Sequence, residues 1–339
     1  MYRITIIILI LGILGSCRKD KPATQEILDP ITNPDIDDTF LVSDSRYKKG
    51  DIRRYGIYPN QKNEPKVVQQ VITLAESGLP IFFPKGYYPM SLVIKGQSNI
   101  QLHFDDVIIG GGLQIIDFKK KPSTKIAIKG KLTVLDKIFI KRSNNISFDT
   151  LVVMTDTLKN INRRSNRGVS IYSGSEILKF EHLEIKDTGG KEDSYYKHTA
   201  SALQIHGWNH NPKHIYIKNL HIDNADRTAL YITGSNHKLE RVNIENFGLG
   251  TNRNMFQLED AAPGEEMEFA GVWINRCNNC EFDFVTINDQ YKRARYSLKL
   301  DEGKYAEPTF IYNLEIKGMA KELSILDDEL TNILVKKAN

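Results

Sequence analysis

A paired apolar signature recurs along this chain at Leu151-x-Val153, Leu183-x-Ile185, Leu220-x-Ile222, Val242-x-Ile244, Val285-x-Ile287 and Leu314-x-Ile316. Each pair has another apolar residue three positions before its first member: Phe148, Phe180, Ile217, Leu239, Phe282 and Ile311. Upstream of most lies a third alternating run: Val169-x-Ile171, Leu203-x-Ile205, Leu230-x-Ile232, Val272-x-Ile274 and Leu298-x-Leu300. Alternation with period two sends the apolar members to one face of a strand and their neighbours to the other. Three short strands therefore make one unit, and a unit that cannot bury its apolar face alone has to stack on its neighbours. The pattern predicts an all-β fold, a single-stranded right-handed parallel β-helix. A β-sandwich also contains many short strands, but it lacks a recurring three-strand phase and would show more Asn-Gly or Asp-Gly hairpin turns than this chain has.

Coil length varies, with 27 residues from Ile205 to Ile232 and 42 from Ile232 to Ile274. Insertions must then leave the core at the turns, where binding residues collect. Three stand out: Asp187 to Ala200 with Tyr195, Tyr196, Lys197 and His198; Phe247 to Ala270 with Arg253, Glu259 and Asp260; and Asp289 to Tyr296 with Tyr291, Lys292, Arg293 and Arg295. Asn219 and Asn246 suit tight bends, since asparagine tolerates left-handed backbone. Pro65 to Ser77 places Val67, Val68, Val71, Ile72 and Ala75 on one helical face and should cap the first coil. Ser324 to Leu326 and Asn332 to Val335 read as a last, weaker coil.

The first residues speak to location. One positive charge, Arg3, precedes an apolar run from Ile4 to Ile13 that is shorter than the roughly 20 residues needed to span a bilayer, as in an export signal. Leu14-Gly15-Ser16-Cys17 ends it and resembles the lipobox of bacterial lipoproteins, which implies a signal peptide over 1–16 and a lipid on Cys17. Residues 17–49, with Pro22, Pro30 and Pro34 among polar residues, read as a flexible tether. Residues 50–339 are then a β-helix domain, expected as a monomer held outside the cytoplasm at the outer membrane, in contact with lipid only through Cys17. The formal net charge is +4, from 46 Lys and Arg against 42 Asp and Glu scattered together. That balance suits an acidic glycan, whereas nucleic-acid binding calls for a dense basic stripe or a recognisable module.

Arg54-Tyr55-Gly56-Ile57, the helix around Val67-Val68-Gln69-Gln70-Val71-Ile72, and Pro80-Ile81-Phe82-Phe83-Pro84-Lys85-Gly86-Tyr87-Tyr88 together resemble the N-terminal element of the pectate-lyase-like superfamily. The motifs cover about residues 50 to 115, and the remainder resembles that superfamily only by its repeat. The superfamily's usual Gly-Asp-Gly and paired aspartates are replaced here by Pro59-Asn60-Gln61-Lys62-Asn63, and neither its polygalacturonase nor its pectate-lyase catalytic signatures occur. The resemblance implies carbohydrate chemistry and no particular substrate. It also implies a groove over the first strand of each coil.

Outward positions on those strands form two columns: Ser170, Gln204, Tyr231, Trp273 and Lys299, and beside them Tyr172, His206, Thr233, Asn275 and Asp301. Aromatic faces suit pyranose rings, while amides, hydroxyls and charges suit their substituents. Gln204, Trp273, Asn275, Tyr172, Tyr196, His198, Lys292 and Arg293 are the candidate substrate contacts. A lyase working by β-elimination needs a base, an acid and a cation on the sugar carboxylate. His206 or Lys299 fits the base, Tyr231 the acid or the base's partner, and Arg227 or Arg295 the cation. A glycoside hydrolase needs two carboxyl groups about 5 to 9.5 Å apart, and Asp301 is the one acid in the columns. A glycan-binding protein without catalysis needs only the aromatics. All three readings stay open on sequence. Cys277-x-x-Cys280 lacks a second ligand pair for a zinc site; Cys280 falls at an inward position, and a local disulfide stays open. The sequence requires no metal, and a calcium site would need its scattered acids to converge.

Overall fold

The computed structural model describes residues 25–156, 166–189, 201–249, 269–291, 294–301, 307–318, 323–327 and 333–337. Every strand ladder between successive coils is parallel, so the chain is an all-β parallel solenoid with one α-helix near its N-terminus. The predicted apolar columns stack in register. Phe148, Phe180, Ile217, Leu239, Phe282 and Ile311 lie one above the next, as do Leu151, Leu183, Leu220, Val242, Val285 and Leu314. Val169, Leu203, Leu230, Val272 and Leu298 stack likewise, and all of these join one continuous buried core. Phe148 and Phe180 stack face to face, 4.9 Å between ring centroids and 2° between planes.

The second and third strands of a coil run on as one bent strand, such as Ser143–Met154 or Glu176–Thr188. Between coils their ladder skips one residue, at Asp149, Glu181, Lys218, Glu240 and Asp283. The skip turns the strand and puts a charged side chain at the outside of the bend. At the corner where these strands begin a column of residues takes left-handed backbone: Asn99, Lys125, Asn145, Ile177, His214, Asn236 and Asn279. The column includes β-branched Ile177 (φ 57°), a conformation such residues avoid, so stacking between coils outweighs local preference there. Asn246 bends as predicted (φ 50°), whereas Asn219 acts through its side-chain amide, which donates to the Glu181 carbonyl at 3.2 Å in the coil below. Ser123, Ser143 and Ser175 line the inside of the preceding corner, each hydroxyl donating to a backbone carbonyl.

The helix spans Pro65–Glu76, with Pro65 in its first turn where no backbone N–H is required. It buries Val68, Val71, Ile72, Leu74 and Ala75 against the first strands, and Val67 is half-buried. Strands Leu323–Asp327 and Ile333–Lys337 form the last described coil. Cys277 and Cys280 are both buried free thiols, and burial together with the neighbouring Cys280 pushes the Cys277 thiol up.

Residues 25–49 are not a free tether. The Ile31 N–H donates to Asn99 Oδ1 at 2.5 Å, the Asn99 amide donates back to the Ile31 carbonyl at 2.8 Å, and the Leu28 N–H reaches Asn145 Oδ1 at 3.4 Å. Farther on, Asp38 is buried against the Arg54 guanidinium at 2.8 Å and accepts the Tyr55 hydroxyl at 2.7 Å. Asn99 and Asn145 stand two coils apart in the corner column, about 10 Å at the usual strand spacing, and three extended residues span the same length. The segment therefore runs lengthwise along the solenoid. Among the described residues no helix is long and apolar enough to cross a membrane. Cys17 and the first part of the chain lie outside the described residues.

Candidate functional site

The first strands of five successive coils, Val169–Tyr172, Ser201–Ile205, Thr228–Ser235, Ala270–Asn278 and Tyr296–Leu300, form one floor. Their register places Ser170, Gln204, Tyr231, Trp273 and Lys299 in a single row. Beside that row the ladder continues past the strand ends: the His206 N–H donates to the Ile171 carbonyl at 2.9 Å and the Asp301 N–H to the Ile274 carbonyl at 3.0 Å.

The two columns merge into a continuous stripe of rings. Centroid separations are 6.1 Å from Phe139 to Tyr172, 5.8 Å from Tyr172 to His206, 5.5 Å from His206 to Tyr231 and 4.7 Å from Tyr231 to Trp273. The Lys299 ammonium stands 4.2 Å from the Trp273 ring centroid, and the Arg295 guanidinium 5.2 Å from that of Tyr296. Cation–π contacts of this kind favour a desolvated cation near a ring face.

Several placements differ from the sequence expectation. Tyr231 and Trp273 are each 2% exposed, and with Ala270 and Tyr296 they form a small apolar cluster separate from the main core. Lys299 is buried as well. These outward positions are covered, not open platforms. Thr233 is also buried, and its hydroxyl donates to the Ile205 carbonyl at 3.2 Å. Asp301 accepts the Trp273 indole N–H at 2.7 Å, which makes it an anchor for that ring. Arg227 is buried, its guanidinium 4.6 Å from the Phe269 ring centroid, so it does not stand at the surface as a clamp for a sugar carboxylate. Tyr196, His198, Lys292 and Arg293 lie outside the described residues, as do Arg253, Glu259 and Asp260.

Two groups in the stripe have complementary proton chemistry. Burial holds the His206 imidazole below its ordinary range, and among the described residues its buried Nδ1 has no hydrogen-bond partner. A neutral ring with an unclaimed nitrogen can take a proton. Tyr231 goes the other way: burial pushes its phenol up to about 12, against a smaller lowering by the Asn275 amide, which donates to the hydroxyl at 3.0 Å. That phenol keeps its proton at neutral pH. Asp301 raises it further, and the positive charge of Arg276 opposes the rise.

Sequence reasoning missed three residues. Trp208 is 80% exposed and meets the His206 ring edge-on at 6.0 Å. Arg276, exposed just beyond the floor strand's apolar run, has left-handed backbone (φ 54°), which takes it out of the two-residue alternation used to find the columns. His237 is fully buried beneath the floor: its Nδ1 accepts the Ile215 N–H at 3.2 Å and its Nε2 meets the Thr233 carbonyl at 3.0 Å. Only the run Trp208-Asn209-His210-Asn211-Pro212 after His206 marks the first of these in the sequence, as an aromatic among turn residues.

Among the described residues no three His, Cys, Asp or Glu side chains converge to hold a metal ion. No protein-family model matches the chain, and neither does any curated protein or solved structure.

Proposed function

We propose that the protein acts on an acidic polysaccharide laid over the floor of the first strands, cleaving it by β-elimination. His206 takes the proton beside the sugar carboxyl group. The electron pair released forms the ring double bond as the bond to the glycosidic oxygen breaks, and Tyr231 supplies that oxygen's proton. Arg295, half-buried beside Tyr296 at the edge of the floor, is the cation that faces the carboxylate, in place of the buried Arg227. The observation that carries this reading is the adjacent pair of His206 and Tyr231. Their environments drive the two pKa values apart, leaving one a free base and the other a protonated acid at neutral pH.

The superfamily resemblance at residues 50 to 115 supports carbohydrate as the substrate, and the half-buried rings of Phe139, Tyr172 and His206 beside the exposed Trp208 support pyranose stacking. A hydrolase reading is weaker, because Asp301 is committed to the Trp273 indole. Glycan binding without cleavage is the second reading. The 2% exposure of Tyr231 favours it, since a proton donor has to reach the leaving oxygen. Export and lipidation at Cys17 belong to the proposal as well, with the body outside the cytoplasm.

The test is digestion of carboxylated, sulfated and neutral polysaccharides, followed by near-ultraviolet absorbance and by reducing ends. Unsaturated ends from a carboxylated polymer are expected. His206→Ala and Tyr231→Phe should each reduce their formation at least 100-fold, the usual range for proton-transfer groups. Because burial lowers the His206 pKa, its free base persists below pH 6.5, and the acid limb of kcat/KM should lie under that value. Reducing ends without absorbance would instead indicate hydrolysis, and the absence of both would leave the binding reading.

A further inference from the structure

The loop after Ile205 presents Trp208 to solvent without being loose. The Gly207 N–H donates to Asn211 Oδ1 at 3.0 Å, the Gly174 N–H to the His210 carbonyl at 2.8 Å, and the Ser235 N–H to the Pro212 carbonyl at 3.3 Å. A Cβ on Gly207 would come within 2.6 Å of the His210 carbonyl and 2.8 Å of Ser173 Cα. A tryptophan held 80% exposed by a loop this closely packed forgoes most of its favourable burial, and that is the arrangement expected of a stacking platform.

The same loop sends Asn209 and His210, the residues after Trp208, into a pocket of about 400 Å³ at the corner where the floor strands end, whose lining also includes Lys213, Arg276 and Asn278. Among the described residues its one carboxylate is Glu176. Among the described residues neither Arg276 nor Lys213 forms an ion pair, and Asn278 Oδ1 is buried without a hydrogen-bond partner. Two cations against one carboxylate, with amide side chains and an unclaimed acceptor close to the loop that carries an exposed ring, are the chemistry that recognises an anionic sugar.

We propose that this corner pocket binds an anionic sugar unit of the polysaccharide, one bearing a carboxylate or a sulfate, with Trp208 stacked on the ring and Arg276 and Lys213 on the anionic group. The inference rests on the polysaccharide reading above and adds a site outside the floor columns. It holds whether or not the chain is cleaved.

Affinity electrophoresis of the full chain through gels containing a polyuronate, a sulfated glycan or dextran tests it. The expected result is retardation by the polyuronate or the sulfated glycan but not by dextran, and which of the two acts identifies the anionic group. Trp208→Ala and Arg276→Gln should each weaken retention about tenfold. Trp208→Phe and Arg276→Lys should restore part of it, which separates loss of the site from loss of the fold. Equal retention by dextran, no retention by either anionic gel, or full retention of the Ala and Gln variants would each overturn the proposal. Retention without unsaturated products would count against the lyase reading and leave the pocket standing; unsaturated products with retention untouched by the substitutions would do the reverse.

Discussion

His237 gives the floor of the candidate site a built-in sensitivity to acid. The ring has no contact with solvent, and burial lowers its pKa from 6.5 to about 4, with the Thr233 carbonyl opposing and His214 adding to the fall. Its Nδ1 accepts the Ile215 N–H, so a second proton would set donor against donor. Space is equally tight, because a Cβ on Gly234 (φ 119°) would lie 2.7 Å from His237 Nε2. Between pH 4 and 6.5 the unfolded chain binds the proton that the folded chain refuses, so stability rises with pH through that window. The contribution is fully present above 6.5 and lost as the pH falls to about 4. At about 1.4 kcal/mol per unit the loss is about 3 kcal/mol. His237→Asn keeps an acceptor for Ile215 and removes the titration. Equilibrium urea unfolding of both proteins at intervals from pH 7.5 to 4 measures the effect, and other titrating groups cancel in the difference. The variant should be less stable at pH 7.5 but lose about 3 kcal/mol less on acidification. Parallel pH profiles for the two proteins would refute the assignment.

Asp301→Ala removes the acceptor of the Trp273 indole and should cost about 1–3 kcal/mol, with a red-shifted emission. The chain has two tryptophans, so a Trp208→Phe background isolates that signal, and Asp301→Asn should largely restore it. Phe148→Ala opens a cavity in the stacked core beside Phe180 and should lower stability by about 3–5 kcal/mol in the same urea assay, with no change in any glycan affinity.

The scaffold was legible because it rests on a repeated requirement. Each coil has to offer the same inward side chains at the same phase, so Phe148, Phe180 and Phe282 announce one another across the chain, and their register follows once the period is found. The capping helix was legible for a related reason, since Val68, Val71, Ile72 and Ala75 share one face at helical spacing. The stretch over residues 25–49 was not. Its prolines and polar residues suit a tether, and what fixes it is a set of distant partners, Asn99, Asn145 and Arg54, whose side chains carry no sign in the sequence of facing it.

The site was legible in only one of its dimensions. Alternation decides which side of a strand a residue takes, and it placed Gln204, Tyr231, Trp273 and Lys299 in one row correctly. It does not decide how deep that side lies, because depth depends on what covers the floor, and the insertions that vary between coils have no period to read. Tyr231 and Trp273 consequently turned out buried while Trp208, in a turn with no alternation at all, became the most exposed ring of the group. The same blindness hid Arg276, since one left-handed residue at a corner resets the phase. Corners are where a solenoid departs from its own repeat, and a repeat-derived reading will place the floor strands of such a fold more reliably than the side chains at its corners.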